Sequence, residues 1–213
     1  MPRVLTTCIY CGCGCGLYLV SDGKKLIGAY PSRNHPVSRG SLCVKGWNSY
    51  EFSNDLNRLT VPLIKKGGKF VQASCDEALC LIAEKFKGYG DKHGPDSLAF
   101  LSSAKTTNEE NFLMMKLARA VFKTNNVDHC ARLCHASTVV GLAATFGSGA
   151  MTNSINEFED AEVILITGSD TTAQHPLIGS RIVNAVKDRG AKLIVIDPRE
   201  IELAKYAAVH ARQ

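Results

Sequence analysis

The arrangement of hydrophobic and polar positions changes near residue 70 of the chain. Before that point, short apolar runs alternate with polar turns, and two of these turns, Asp22-Gly23 and Gly67-Gly68, are typical of β-hairpins. The predicted strands are residues 4–7, 17–20, 25–30, 63–64 and 70–71. The pattern therefore predicts a small β-rich domain over residues 1–70.

After residue 70 the apolar positions follow a helical period. Ser74-x-x-Glu77 and Thr107-x-x-Glu110 are signatures of helix N-termini, because the two side chains of such a pair each accept a backbone N–H of the other residue. The apolar face predicted for the first helix is Ala78, Leu79, Ile82, Ala83 and Phe86, and that of the second is Phe112, Met115, Leu117, Ala118 and Val121.

Compact apolar segments in the second part of the chain predict further strands. They are Ser97–Leu101, Glu162–Thr167 and Lys192–Ile196. The last two are nearly continuous apolar runs, which is typical of parallel strands buried on both faces. A helix is predicted between them at Pro176–Arg189, ended by Gly190, and strand, helix and strand at this spacing form a right-handed βαβ unit. We therefore predict a doubly wound, mostly parallel α/β domain over residues 71–213.

Ligands of such domains bind beyond the carboxyl ends of the parallel strands. Three segments are expected there: Ser102-Ser103-Ala104 with Asn108, Gly168 to Thr172, and Asp197-Pro198-Arg199. Small residues at a helix N-terminus can receive a phosphate, and Asp197 can accept hydrogen bonds from a base or a ribose. The alternative, that Gly168 and Asp197 only shape tight turns, stays open on spacing alone. No G-x-G-x-x-G loop is present, so a simple NAD site is not favoured.

The first 43 residues contain a cysteine pattern that suits a [4Fe–4S] cluster. The spacing is Cys8-x2-Cys11-x3-Cys15-x27-Cys43, with interleaved glycines that let the backbone turn tightly. Four thiolates hold such a cluster. Zinc also takes four thiolates, but its sites usually consist of two short cysteine pairs. Cys13 is left over, and a ligand set that uses Cys11, Cys13 and Cys15 is an alternative.

Composition narrows the class of protein. With 213 residues and 45% hydrophobic composition, the chain has room for one domain and a smaller one. We expect a cytoplasmic protein with no membrane span, because no apolar run approaches about 20 residues and no signal peptide pattern is visible. The nine cysteines then favour cluster ligands and reactive thiols over disulfides. A net charge of +5, spread along the chain, suits an anionic cofactor and indicates no nucleic-acid partner.

A second candidate site is the dipeptide Cys134-His135. A thiol followed by an imidazole near the start of a helix is suited to thiolate stabilisation and to binding a soft metal. Taken alone the dipeptide is a weak signal, because most cysteines are buried as small hydrophobic residues. A Cys/His protease would use the same pair but would leave the N-terminal cysteines unexplained. Four other residues are interpreted as structural: His129, Cys130, Cys75 and Cys80.

Together these motifs resemble the catalytic subunit of molybdenum- or tungsten-dependent formate dehydrogenases, which are bis-molybdopterin-guanine-dinucleotide oxidoreductases. The resemblance covers essentially the whole chain. The matching segments are Cys8 to Cys43 with Lys45-Gly46, Thr107 to Asn111, Asn125 to His135, Thr167 to Thr172 with His175-Pro176, and Ile196 to Arg199. The Cys134-His135 pair singles out formate dehydrogenases from the related nitrate reductases.

The resemblance implies a role for each site residue. Cys8, Cys11, Cys15 and Cys43 would bind the [4Fe–4S] cluster, and Lys45 would lie between the cluster and a pterin, on the electron path. Cys134, at a position that some members fill with selenocysteine, would bind the molybdenum or tungsten of the cofactor, and His135 would neighbour the substrate and handle protons. The residues implied to contact one guanine dinucleotide are Gly168, Ser169, Asp170, Thr171, Asp197 and Arg199.

Two departures from the family qualify these expectations. Asp170 stands where the family often has Asn, and the family's catalytic subunits are several times longer than this chain. The second pterin segments and the arginine that orients formate are therefore expected beyond Gln213, so that the chain alone is expected to be inactive. The implied reaction is the oxidation of formate to CO2, with electrons passed to an iron–sulfur or flavin subunit. The alternative is a non-catalytic electron-transfer or assembly module that needs a separate chain to complete its pocket.

Overall fold

The computed structural model describes residues 1–213, which form a mixed α/β structure with short 3-10 segments. The strands are β1 (Arg3–Thr7), β2 (Gly16–Ser21), β3 (Leu26–Pro31), β4 (Leu63–Lys66), β5 (Lys69–Gln72), β6 (Phe100–Ser102), β7 (Val127–His129), β8 (Val163–Thr167), β9 (Lys192–Ile196) and β10 (Val209–Ala211). The helices are α1 (Val44–Trp47), α2 (Cys75–His93), α3 (Asn108–Lys116), α4 (Ala131–Cys134), α5 (Ala136–Phe146), α6 (Thr171–Gln174) and α7 (Pro176–Arg189).

The chain divides into two compact units. The first contains residues 1–58 and 151–213, and the second contains residues 59–150. The predicted boundary at residue 70 lies within the second unit, and the segment from residue 151 folds with the N-terminal residues because Ile155 and Leu177 pack against the cysteine loop. The division into sequence domains at residue 70 stays a prediction.

The N-terminal part of the first unit is a three-stranded antiparallel sheet in the order β1-β2-β3. The predicted hairpin is confirmed: Asp22 Oδ1 accepts the backbone N–H groups of Lys24 and Lys25, each at 2.8 Å, and Gly23 has a φ of +97°. A glycine fits this position because other residues rarely adopt a positive φ. This sheet presents the cysteine loop, which joins β1 to β2.

The C-terminal part of the first unit is a parallel sheet in the order β10-β9-β8 with α7 packed on one face. The predicted helix Pro176–Arg189 and its end at Gly190, which has a φ of +75°, are confirmed. The predicted burial of β8 on both faces is wrong. Ile164 and Ile166 face the core beneath α7, whereas Val163 and Leu165 are exposed because nothing in this unit covers the opposite face.

The second unit begins with the predicted hairpin β4-β5 and then α2. Ser74 caps α2 by accepting the Glu77 N–H at 3.1 Å, but the expected return bond is missing because the Glu77 carboxylate pairs with Lys66 at 2.7 Å. The capping box of α3 is complete, with both the Thr107 and the Glu110 bonds present. Local sequence signals therefore fixed both helix starts.

A small core in the second unit lies beside the parallel pair β6-β7. Leu98, Phe100 and Ala118 are buried there, with Phe86 and Met114 packed against them. Much of the apolar face predicted for α2 and α3 is instead exposed, as Leu79, Ile82, Phe112, Leu117 and Val121 show. β6 also begins later than predicted, because a 3-10 turn, Pro95–Ser97, precedes it. None of the helices is both long and apolar enough to span a membrane.

Candidate functional site

Five cysteines meet in the loop between β1 and β2 and at the start of α1. Cys13 and Cys15 are buried, and Cys8, Cys11 and Cys43 pack against them, half-buried. The loop closes on itself, since the Cys8 N–H donates to the Cys15 carbonyl at 2.8 Å. Gly14 makes the turn at a φ of +57°. The predicted ligand set is therefore brought together, with Cys13 as a fifth thiol.

The two buried thiols of the cysteine loop, Cys13 and Cys15, have raised pKa values. Burial, and after it the neighbouring thiols of Cys13, Cys8, Cys11 and Cys43, raise the pKa of the Cys15 thiol to about 12. Burial and the Cys11 thiol likewise raise the pKa of Cys13 to about 11. A raised pKa means that these thiols stay protonated and neutral on their own, so a cationic iron centre that binds them would take the place of their protons. The four thiols of Cys8, Cys11, Cys15 and Cys43 suit a [4Fe–4S] cluster, which is held by four thiolates. No three His, Cys, Asp or Glu side chains lie close enough together to share a single metal ion.

Lys45 joins the start of α1, next to the cysteine loop, to α6. It lies in α1, two residues after Cys43, and it is half-buried. Its ammonium donates to the Ala173 carbonyl of α6 at 3.3 Å. Beside it is a cavity of about 460 Å³ that is lined by Tyr10, Val44, Lys45, Asn48, Glu51, Phe52 and Asp55. Lys45 is therefore not a freely solvated surface lysine.

The carboxyl ends of β8 and β9 form the predicted binding edge. Gly168 follows β8 with a φ of +59°, and its N–H donates to the Ile196 carbonyl at 2.9 Å. Asp197 follows β9 and is buried, accepting the Arg199 backbone N–H at 2.8 Å. Beyond Gly168, Ser169 and Thr171 share a hydroxyl hydrogen bond of 3.0 Å.

The guanidinium of Arg199 interacts with the carboxylates of Asp197 and Asp170 at the carboxyl ends of β9 and β8. Hydrogen bonds from the Arg199 side chain and backbone lower the pKa of Asp197, and Asp197 raises the pKa of Arg199. The charge of Asp170 also raises the pKa of Arg199. The Arg199 side chain is 63% exposed, which leaves donors free for an anionic group.

The Cys134-His135 pair lies in the second unit. Cys134 ends α4, and His135 precedes α5; both side chains are exposed. An ion pair of 2.7 Å between Arg132 and Asp128 spans the preceding turn. The cysteines interpreted as structural, Cys75, Cys80 and Cys130, are also exposed. The Cys130 sulfur accepts the Ala104 N–H at 3.3 Å.

The segment Ser102-Ser103-Ala104 with Asn108 was expected at the same edge as Gly168 and Asp197, but it belongs to the second unit, after β6. Sequence reasoning gave no role to His175, whose Nε2 lies 3.7 Å from where a Cβ on Gly12 would stand. It also missed that Leu177 and Ile178, at the start of α7, pack in the same cluster as Cys13. The dipeptide His175-Pro176 was the only sequence signal for the start of α7.

Comparison with known proteins finds relatives that match nearly the whole chain. A chain that is 53% identical over 209 residues is the F420-dependent formate dehydrogenase 2 subunit alpha of Methanococcus maripaludis, with 98% of this chain and 30% of that protein covered. Formate dehydrogenase H of Escherichia coli is 41% identical, with 99% and 30% covered. Acetylene hydratase from Pelobacter acetylenicus superposes with a TM-score of 0.80 at 26% identity over 97% of this chain and 29% of that chain.

This chain therefore spans about 30% of the length of the curated relatives it matches. Sequence models of two domains also match it. The molybdopterin oxidoreductase Fe4S4 domain matches residues 1–55, which contain the five converging cysteines, and the molybdopterin oxidoreductase model matches residues 58–212. Both expected cofactors, the [4Fe–4S] cluster and a molybdopterin-bound metal, agree with these matches. The chain belongs to the molybdopterin oxidoreductase family.

Proposed function

We propose that this chain is the N-terminal part of the catalytic subunit of a molybdenum- or tungsten-dependent formate dehydrogenase. The complete protein oxidises formate to CO2, releasing one proton and two electrons. The observation that carries the proposal is the Cys134-His135 pair, which is exposed at the joint of α4 and α5 rather than packed into a core. The names of the relatives that cover nearly all of this chain support it.

The cysteine loop holds the [4Fe–4S] cluster. Cys8, Cys11, Cys15 and Cys43 supply the thiolates, and the burial of Cys15 excludes water from one side of the site. The cluster, when bound, stores and passes single electrons, and backbone hydrogen bonds and nearby charges of the chain set its potential.

The cofactor's guanine dinucleotide binds at the carboxyl ends of β8 and β9. Asp197 is buried and anionic, so it accepts hydrogen bonds from the base or ribose, while the exposed Arg199 guanidinium attracts phosphate. The loop residues that contact the nucleotide are Gly168, Ser169, Asp170 and Thr171. Lys45, which bonds to Ala173 of α6, would lie between the cluster and the pterin when both are bound.

Cys134 binds the metal, and His135 handles protons beside the substrate. The bis-molybdopterin-guanine-dinucleotide centre supplies the two-electron chemistry at formate when it is bound. An exposed thiol can reach a metal without rearrangement of a core, and the adjoining imidazole can accept the released proton. The reverse reaction, CO2 reduction, uses the same residues.

The electrons leave through a separate subunit. Relatives of this chain are named as alpha subunits of F420-dependent enzymes, which implies other subunits in those proteins. We propose an iron–sulfur or flavin partner subunit and a cytoplasmic location for the complex.

The decisive experiment is a formate assay of the full-length protein with a viologen dye. The Cys134→Ala variant should lose nearly all activity while keeping its iron, because the cluster loop is unchanged. Cys80→Ala is the matched control, since it removes another exposed thiol from α2. A Cys134→Ala protein with wild-type rates would rule out the assignment.

A second candidate function is an electron-transfer or assembly module without turnover of its own. The observation that favours it is that the five converging cysteines lie within the first unit, whereas Cys134 belongs to the second. Metal analysis of the purified protein separates the two. About four irons per chain without molybdenum or tungsten supports the module, whereas stoichiometric molybdenum or tungsten with pterin supports the catalytic subunit.

A further inference from the structure

The segment that carries Cys43, residues 32–43, lies between β3 and α1 and consists of turns. Its start is tied to β2, since the Ser32 N–H donates to the Gly16 carbonyl at 2.9 Å. The Gly40 N–H donates to the Ser32 carbonyl at 3.1 Å, which folds the segment back on itself. A segment of turns has no ladder of strand or helix bonds to hold it. The position of Cys43 therefore depends on what holds this segment from outside.

Two side chains from the C-terminal part of the first unit hold neighbouring carbonyls in the middle of this segment. Nη2 of Arg181, in α7, donates to the Val37 carbonyl at 3.0 Å, and Nδ2 of Asn156 donates to the Pro36 carbonyl at 2.8 Å. The partners are 144 and 120 residues apart in sequence. The Val37 side chain packs in the same cluster as the five converging cysteines. A shift at Val37 would therefore be felt directly by the cysteines.

The guanidinium of Arg181 is itself held in place by Glu159. Nη1 donates to Glu159 Oε1 at 2.8 Å, and the two side chains are only 12% and 19% exposed. A guanidinium presents its N–H groups in a rigid plane, so the bond of Nη1 to Glu159 sets the direction in which Nη2 points. A buried ion pair adds little net stability compared with apolar side chains, whereas it can fix one geometry. Here the geometry that it fixes is the bond to Val37.

A second ion pair shows that packing between the same two elements does not require Arg181. The 3-10 turn Ile155–Asp160 lies against α7, and Arg189 of α7 pairs with Asp160. These side chains are 55% and 72% exposed, and neither bonds to the segment that carries Cys43. Arg181 differs because its second N–H group reaches beyond the turn.

We propose that Arg181 and Asn156 are positioning residues for the [4Fe–4S] cluster. They fix the segment of residues 32–43, and they thereby keep the Cys43 thiol where it completes the set of four thiolates. Glu159 acts through Arg181 by directing its guanidinium. The inference rests on the proposed cluster ligands and assigns them support from a distant part of the chain.

The test is the rate at which a ferrous chelator removes iron from the full-length protein, prepared without oxygen. Arg181→Gln should release iron about tenfold faster than wild type, the ratio expected from the loss of one hydrogen bond with a charged donor. Asn156→Ala, which removes a neutral donor, should release iron about threefold faster. Arg189→Gln is the matched control, because it removes the other ion pair between the same two elements, and it should release iron at the wild-type rate.

The electron paramagnetic resonance spectrum of the reduced cluster separates positioning from a general loss of stability. The spectrum depends on the geometry of the thiolates around the iron. It should therefore shift in Arg181→Gln and in Asn156→Ala, and it should stay unchanged in Arg189→Gln even if that variant unfolds at a lower urea concentration.

Wild-type iron release and an unchanged spectrum in both Arg181→Gln and Asn156→Ala overturn the positioning role. Equally fast release from Arg189→Gln and Arg181→Gln also overturns it, because the contact between the turn and α7 would then be sufficient. If Arg181→Gln does not fold, Asn156→Ala decides the question alone. A wild-type protein that contains no iron would instead overturn the proposed cluster site.

Discussion

At the scale of single residues, Lys45 shows how one side chain can join two distant segments. Its ammonium bonds to the Ala173 carbonyl, 128 residues away in sequence, and its backbone lies two residues from Cys43. A fixed positive charge beside an iron–sulfur cluster stabilises the reduced, more negative state. If the cysteine loop binds the proposed cluster, its reduction potential would depend on Lys45 and on the contact with Ala173 that holds the ammonium.

Replacing Lys45 with Met should lower the cluster's midpoint potential and slow formate-driven reduction of the cluster. The iron content and the spectrum of the cluster should not change, because no ligand is removed. Redox titration monitored by electron paramagnetic resonance measures the potential. Lys24→Met, which removes the same charge from an exposed turn, is the control. Equal potentials in the Lys45→Met and wild-type proteins would leave Lys45 as a structural tie only.

Asp197 gives a prediction about pH. Hydrogen bonds from Arg199 lower its pKa in the folded state, so it binds fewer protons folded than unfolded. Its contribution to stability is therefore fully present above its unfolded pKa and is lost as the pH falls through the lower folded value. Asp197→Asn should reduce the urea midpoint of unfolding at pH 7, and the gap to wild type should narrow as the pH falls below about 4, the ordinary pKa of an aspartate. A gap that is constant with pH would contradict this.

Residues that carry local signals could be predicted, and those that act across the chain could not. The glycine-flanked cysteine spacing indicated the thiols that meet in the first unit. The contact between Lys45 and Ala173 has no sequence pattern, because it depends on how α6 is placed. For the same reason nothing in the sequence indicated that Leu177 of α7 packs in one cluster with Cys13.

At the scale of elements, capping signals were informative and hydrophobic periodicity was less so. The starts of α2 and α3 followed from Ser74 and Thr107, since a cap is a local interaction. Burial was harder to predict, because it depends on what covers an element. β8 is apolar throughout, yet Val163 and Leu165 are exposed since only one face of its sheet is covered within the first unit.

The α3 cap can be tested directly. Thr107→Ala removes the acceptor for the Glu110 N–H, and we expect a loss of about 0.5–2 kcal/mol in the free energy of unfolding. Denaturant titration followed by circular dichroism measures it. Glu109→Gln, which neutralises a first-turn carboxylate that takes no part in the box, should have a smaller effect. Equal losses in the two variants would mean that helix-end charge, and not the capping bonds, stabilises the start of α3.

At the scale of the molecule, the two units divide the proposed chemistry. The cysteine loop and the edge formed by Gly168 and Asp197 belong to the first unit, and Cys134-His135 belongs to the second. No sequence motif predicted that residues 151–213 fold with residues 1–58, because tertiary packing alone joins them. The first unit thus contains all the residues proposed to bind the cluster and the nucleotide.

The uncovered side of β8 bears on how this chain behaves when it is produced alone. β8 is the edge strand of its sheet, so its outer backbone groups are unpaired while Leu165 presents an apolar surface. Open apolar edges are templates for strand addition from another molecule. The isolated chain should therefore self-associate, and Leu165→Lys should keep it monomeric at concentrations where wild type scatters light. If both proteins scatter equally, the surface that drives association lies elsewhere.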